Sequence, residues 1–255
     1  MTLIRFGGLL GSLFFVFSLL ALSGCGDAEL RRDQAQLHLR IGTSHLIKGH
    51  YPQALYELLE AEKLDPNDAV IQNNLGLAYF VRKEYSQSEK HIGNALKLDP
   101  KYSDARNNLG RIYIELARYD EAILLLAEVT RDLTYAYPEK AFVNLGLAYM
   151  KKGDLTSAQN NFKKSLEANS HFCPAYNYYG QTLFQQTKYE AAIDAFDSAL
   201  KLCNNNYDEA EYFSGLSYYK AGRQEKAQAR LEDVIKQYPD SEFAAKAKDM
   251  LKLIQ

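Results

Sequence analysis

The most regular feature of the chain is a recurring pattern of large apolar, small and polar positions. It is clearest in "NNLGLAYF" from residue 73, "NNLGRIYI" from residue 107 and "VNLGLAYM" from residue 143. In each stretch a leucine precedes a glycine and a tyrosine follows it three residues later, which is the spacing of one helix face. Further small residues follow each glycine, as Ala122 and Val129 follow Gly110. The pattern predicts pairs of helices that approach each other closely.

The spacing of this glycine identifies the repeat. It recurs at intervals of 34 to 36 residues, at Gly42, Gly76, Gly110, Gly146, Gly180 and Gly215. This period with this glycine is that of the tetratricopeptide repeat, in which each repeat is a helical hairpin. We therefore predict an all-α fold, a right-handed α-solenoid of six helical hairpins followed by a capping helix. The predicted repeats span 35–68, 69–102, 103–138, 139–172, 173–207 and 208–241, and the capping helix spans 242–255.

An apolar segment precedes the repeats and ends at a cysteine. Residues 6–22 are uncharged and mostly apolar, and the last of them opens the tetrad Leu22-Ser23-Gly24-Cys25. This tetrad resembles the bacterial lipobox, so we predict a lipoprotein signal peptide over 1–24, a lipid on Cys25 and a tether over 25–34. The alternative is an uncleaved transmembrane anchor, which the length of the segment permits.

Composition and motifs argue against several classes of function. The 255-residue chain has a formal net charge of −2, which gives no basic footprint for nucleic acid. Its five histidines show no metal-ligand spacing, and it contains no phosphate loop and no G-x-S-x-G nucleophile motif. The repeats and the cap account for residues 35–255. We therefore expect a protein that is not an enzyme, with no metal, no small-molecule substrate and no cofactor besides the lipid on Cys25.

The remaining two cysteines fall at the two ends of one predicted hairpin. Cys173 opens the first helix of repeat five and Cys203 ends its second helix. Because these ends are neighbours in an antiparallel pair, the cysteines are a candidate disulfide in an exported protein. The alternative is a pair of free, half-buried thiols.

The first helices of such repeats line a concave groove, which is the expected site of partner binding. Positions 2, 5, 9, 12 and 13 of each repeat face it, and these positions are unusually apolar in repeats one and two. An exposed apolar groove is suited to an amphipathic partner segment. The alternative is that some of these residues pack beneath neighbouring helices or under the N-terminal segment. The predicted groove residues are Leu39, Leu46, Val70, Asn73, Leu77, Phe80, Val81, Asn107, Arg111 and Ile114.

A two-residue excess between repeats three and four gives a more specific resemblance. It falls in "TRDLTYAYPEKAFVNLG", residues 130–146, which contains Ala141, Asn144 and Gly146. With the lipobox and six repeats, this Tyr/Pro junction resembles the type IV pilus pilotins, the PilF/PilW/Tgl group.

The resemblance implies a lipoprotein of the outer membrane that faces the periplasm and is held there by its lipid. Gly26, which follows the cysteine, favours that membrane. It further implies that the protein binds secretin protomers and promotes their localisation and multimerisation. The alternative function is a general envelope scaffold that presents proteases or peptidoglycan enzymes.

Overall fold

The computed structural model describes residues 10–203 and 207–254, with side chains from residue 28 onward. Within these ranges the protein consists of thirteen α-helices and no strand, which confirms the predicted all-α fold. The helices are α1 (Leu10–Ile47), α2 (Tyr51–Leu64), α3 (Ala69–Val81), α4 (Tyr85–Leu98), α5 (Ser103–Glu115), α6 (Tyr119–Val129), α7 (Pro138–Lys152), α8 (Leu155–Ala168), α9 (Cys173–Gln185), α10 (Tyr189–Leu202), α11 (Asp208–Lys220), α12 (Gln224–Gln237) and α13 (Glu242–Ile254).

Consecutive helices pair as the repeat pattern predicts. The first helices of repeats two, three, five and six begin at the predicted residues 69, 103, 173 and 208, and α7 begins one residue early at Pro138. The exception is α1, which begins at Leu10 and so includes the residues predicted to form a tether, 25–34. Those from Ala28 to Gln34 contain no glycine or proline, so nothing in this stretch interrupts the helix.

The recurring glycine lets the two helices of each hairpin approach closely. A Cβ atom built on Gly146 would lie 2.6 Å from a ring carbon of Phe162, and one on Gly42 would lie 2.7 Å from Leu58 Cγ. Any side chain larger than hydrogen would therefore push the hairpin apart. The same pairing recurs in every repeat, as Gly42–Leu58, Gly76–Ile92, Gly110–Leu126, Gly146–Phe162, Gly180–Phe196 and Gly215–Leu231.

The chain divides into two compact bodies between Ala105 and Arg106. The core of the N-terminal body joins α1, α2 and α3 through Ala35, Leu39, Leu58, Ala61, Ile71, Leu75 and Ala78. The C-terminal body has a similar cluster at each hairpin junction. At its end α13 packs against α12 through Leu231, Val234, Ala244, Ala247, Leu251 and Ile254.

Repeat two starts with a side-chain cap at Asp68. Asp68 Oδ1 accepts hydrogen bonds from the backbone N–H groups of Val70 and Ile71, at 2.7 and 3.1 Å. This satisfies two donors that the first turn of α3 otherwise leaves open. The other carboxylate oxygen accepts from Gln36 Nε2 at 2.7 Å, so the cap also joins α1 to α3.

Across the part of the chain that the structure describes, no helix combines the length and apolarity needed to cross a membrane.

Candidate functional site

The apolar side chains that stay open to solvent on the predicted groove of the N-terminal body lie on α3. Val70 and Val81 are 42% and 38% exposed, and Leu77 and Phe80 are half-buried. Leu77 and Val81 lie seven and eleven residues after Val70, close to whole turns, and Phe80 is beside them, three residues after Leu77. We call these four residues the α3 patch. Leu46, on α1, is half-buried against the core cluster.

Two apolar residues of the predicted groove belong to the core instead. Leu39 is only 7% exposed and packs with Leu58 and Ile71, and Ile114 is buried with Leu126 and Leu145. The expectation that both line an open groove is therefore wrong. Here the alternative holds, since these side chains pack beneath neighbouring helices.

The predicted groove asparagines are also buried. Asn107 Oδ1 accepts a hydrogen bond from Asn144 Nδ2 at 2.9 Å. Asn73 hydrogen-bonds the hydroxyl of Tyr102, and burial raises the pKa of Tyr102 to about 12. Asn107 therefore connects two successive first helices, Asn73 connects α3 to the turn before α5, and neither amide is open to a partner.

The C-terminal body repeats this asparagine–tyrosine connection. Asn177 Nδ2 donates to the Tyr207 hydroxyl at 3.1 Å and to Glu209 Oε2 at 2.8 Å. Burial raises the pKa of Tyr207 as well. The sequence carries the signal for both connections, since an asparagine at position five of a repeat is followed by a tyrosine just before the next first helix. Neither tyrosine is among the groove residues predicted from the sequence.

Arg111 supplies the cation of the predicted groove, in the C-terminal body. Its side chain is reached by water, yet the protein surrounds it closely enough that desolvation lowers its pKa, against the opposing effects of Tyr178 and Glu115. A guanidinium remains charged at neutral pH despite such a shift. Arg111 therefore contributes a positive charge to this surface. Tyr178, whose pKa is raised by burial, was not predicted as part of this surface.

One turn of α9 holds two buried polar atoms without a hydrogen-bond partner among the described residues. They are Asn177 Oδ1, an acceptor, and Gln181 Nε2, a donor. Asn177 is oriented by its donation to Glu209, a carboxylate that can only accept. Such a donor and acceptor are the complement of a water molecule or a peptide group.

The two predicted disulfide cysteines lie together. The structure places a disulfide between Cys173 and Cys203, with their Cα atoms 6.1 Å apart. Cys173 is the first residue of α9 and Cys203 follows the last residue of α10, so the bridge joins the open end of hairpin five.

The described residues offer little chemistry besides binding. No group of three or more histidine, cysteine, aspartate or glutamate side chains among them could hold a metal ion. His91 is buried against Tyr79, with its Nδ1 atom 2.9 Å from Gln72 Oε1, so it is part of the packing. Cys25 lies outside the residues whose side chains are described, and its lipid stays a prediction.

Several solved structures share this fold. PilF of Pseudomonas aeruginosa is 21% identical, with a TM-score of 0.70, covering 86% of this chain and 99% of that one. PilW, described as a widely conserved type IV pilus biogenesis factor, is 20% identical, with a TM-score of 0.76, covering 83% and 97%. A chain of the APC/C hetero-tetramer Cut9–Hcn1 is 19% identical, with a TM-score of 0.78, covering 87% and 43%. At these identities the likeness shows a shared fold.

Family models locate the repeats along the chain independently of the structure. Models described as tetratricopeptide repeats match residues 84–134, 143–210 and 209–241, and one described as a TPR repeat matches residues 42–81. Together they follow the helical hairpins from the first repeat to the last. The chain is therefore a tetratricopeptide-repeat protein.

Proposed function

We propose that this protein is a pilotin of type IV pilus assembly, which binds protomers of the outer-membrane secretin and promotes their localisation and multimerisation. The proposal is supported by the likeness to PilF and PilW over nearly the whole length of those chains. It is also supported by the Tyr/Pro junction at residues 130–146 and by the lipobox at Cys25.

The observation that carries the proposal is the α3 patch. Val70 and Val81 are exposed and Leu77 and Phe80 are half-exposed on one helix face, in a repeat protein whose core is already complete. Contiguous apolar surface on a soluble scaffold marks a binding site. The partner segment we propose is an apolar stretch of a secretin protomer.

The size of the α3 patch is suited to weak, reversible binding of a partner segment. Full burial of one Val, Leu or Phe side chain is worth about 1.5–3 kcal/mol, and these four are already partly buried. Covering them therefore contributes on the order of a few kcal/mol. A hold of this strength is released when neighbouring protomers bury the same apolar segment in the assembled ring.

A lipid on Cys25 would keep this binding surface at the membrane where the ring forms. In the proposed mechanism the lipid supplies location and the repeats supply recognition, so neither requires catalysis. A Cys25→Ser variant should fold normally and leave secretin multimers scarce or misplaced. Multimers at normal abundance in the outer membrane of that strain would contradict the role of the lipid.

The test of the function is a Leu77→Glu/Phe80→Glu double variant in a strain that makes type IV pili. We expect heat-resistant secretin multimers to be lost, while the protein level and helix content stay normal. Leu124→Glu is the matched control, because Leu124 is an exposed leucine of α6 far from this patch in sequence. Secretin multimers at normal abundance in the double variant would contradict the proposal.

Crosslinking from membranes distinguishes the alternative function. A secretin as the dominant crosslinked partner supports a pilotin. Proteases or peptidoglycan enzymes as the dominant partners, with normal piliation in a deletion strain, would instead assign the chain to a general envelope scaffold.

A further inference from the structure

The first helices of repeats two, four, five and six each bury one face against the second helix of the preceding repeat. This face comprises positions three, seven and ten of the repeat, and within the two bodies it is seen at four junctions. In repeat two it is formed by Ile71, Leu75 and Ala78, all fully buried, and α2 covers them with Leu58 and Ala61. The matching buried residues in later repeats are Ala141, Leu145 and Ala148, then Ala175 and Thr182, then Ala210, Ser214 and Ser217.

Repeat one carries the same face but leaves it open. Leu37 and Ile41, at positions three and seven, are 49% and 36% exposed, and Ser44 at position ten is exposed. Leu30, 58% exposed, extends the stripe by two turns towards the start of α1. From Leu30 to Ile41 the stripe is about 17 Å long at 1.5 Å per residue.

Two junctions show which polar groups accompany this face. In repeat two, Gln72 and His91 are joined at 2.9 Å, and Glu62 of the preceding second helix accepts from Gln72 Nε2 at 2.8 Å and lies 3.6 Å from His91. In repeat six, at the same two positions, Glu211 and Arg230 are 3.5 Å apart, and Asp197 of the preceding second helix accepts from Arg230 at 2.6 Å. In both cases the preceding helix supplies a carboxylate to the basic member of the pair.

Repeat one has such a pair at these positions too. His38 Nδ1 lies 2.7 Å from Glu57 Oε2, and the two side chains are 33% and 20% exposed. The open end of repeat one is thus one complete half of a repeat junction, with its apolar stripe and its polar pair in place. We call Leu30, Leu37, Ile41, His38 and Glu57 the end face.

We infer that the end face docks an amphipathic helix of a partner protein that resembles α2 in chemistry. Such a helix carries leucine and alanine in one stripe and a carboxylate that reaches His38. The exposed cations Arg40 and Lys48 lie near the Ile41 end of the stripe and favour carboxylates of a partner helix there, whereas the exposed Asp33 lies near the Leu30 end. The inference is independent of the proposed function, because it uses none of the residues of the α3 patch.

The alternative occupants within this chain are already engaged. The residues before the stripe belong to α1 itself, which runs as one helix from Leu10 to Ile47 and so does not fold back onto its own face. In a second copy, the last helix α13 buries its apolar face against α12. A helix from another protein is therefore the occupant that the structure favours.

The test uses α2 as the model ligand, because α2 covers this face in repeat two. A labelled peptide of residues 51–64, stapled on its exposed side to hold it helical, is titrated against the full chain in detergent by fluorescence anisotropy. We expect binding that Ile41→Asp weakens at least tenfold, and that Glu62→Lys in the peptide also weakens. Leu124→Asp is the control and should leave the affinity unchanged.

Several outcomes would overturn the inference. One is that the peptide does not bind at millimolar concentration. Another is that the Ile41→Asp variant binds it with the same affinity as the unchanged chain. Sedimentation that shows a dimer lost in Ile41→Asp would assign the face to a second copy. Binding to phosphatidylethanolamine–phosphatidylglycerol vesicles that this variant abolishes would assign it to a lipid surface.

Discussion

The first and the last repeat contain the same hairpin but leave it in different surroundings. In the last repeat, α13 covers the outer side of the hairpin, with Ala244 and Ala247 fully buried against Leu231 and Val234. In the first repeat, Leu37 and Ile41 occupy the equivalent interface of a stack and remain exposed. One end of the sequence is therefore closed by the chain itself, and the other end keeps an interface without a cover among the described residues.

Solubility alone does not account for the open end. A repeat array needs a polar outer face at each terminus, and α13 supplies one with its lysines. The same solution would have required only polar residues at positions three and seven of repeat one. Leucine and isoleucine at these positions are what a binding interface requires.

The largest effect should come from breaking the closed end. Ala247→Asp places a carboxylate in the fully buried interface between α12 and α13, and an unpaired buried charge costs about 3–5 kcal/mol. We expect the amide protons of α12 and α13 to lose protection in hydrogen exchange, while those of α3 keep it. Unchanged protection in α13 would show that its packing contributes little to stability.

The second largest effect should come from removing the disulfide of repeat five. The Cys173–Cys203 bridge closes a loop of 30 residues in repeat five, and the chain-entropy model gives such a bridge about 3–4 kcal/mol. A Cys173→Ala/Cys203→Ala variant should therefore unfold at a lower urea concentration. Its amide protons should lose protection from hydrogen exchange only in α9 and α10. Mass spectrometry of non-reduced peptides from exported protein checks the bridge itself, and two free thiols would contradict it.

The sequence predicts the fold more completely than it predicts the candidate site. The glycine period locates the hairpins to within a residue from repeat two onward, because helix contact at that position tolerates no side chain. The candidate site is harder to predict from the sequence. Helical periodicity puts Leu39 and Leu77 on the inner face of their repeats, but only the packing of neighbouring helices decides which of them is buried. Position five is buried in repeats one to five, at Leu39, Asn73, Asn107, Val143 and Asn177. The open residues of the groove therefore lie at the flanking positions.

A third prediction uses the polar pairs of two junctions, which should respond to pH in opposite directions. Burial lowers the pKa of His91 below its ordinary 6.5, although Glu62 opposes the shift. The unfolded chain then binds more protons than the folded one, so the stability of repeat two falls as the pH falls through 6.5.

Burial raises the pKa of Glu211 above its ordinary 4.5, although Arg230 opposes the shift. Here the folded chain binds more protons than the unfolded one, so the stability of repeat six rises as the pH falls towards 4.5. Hydrogen exchange of α4 and α11, corrected for intrinsic rates, measures both. His91→Gln and Glu211→Gln should each remove one slope and leave the other, and parallel slopes in the two junctions would contradict the assignment.

The smallest expected effect is the most informative about the open end. Ile41→Asp changes an exposed residue, and substitutions at exposed positions usually alter the free energy of unfolding by no more than about 0.5 kcal/mol. Leu75→Asp, at the same position of repeat two but fully buried, is the matched control and should cost about 3–5 kcal/mol, the penalty of a buried unpaired charge. Urea unfolding of the two variants compares one interface with and without its cover. If Ile41→Asp costs nearly as much as Leu75→Asp, the end of repeat one is already packed in solution, and the two ends of the chain are alike after all.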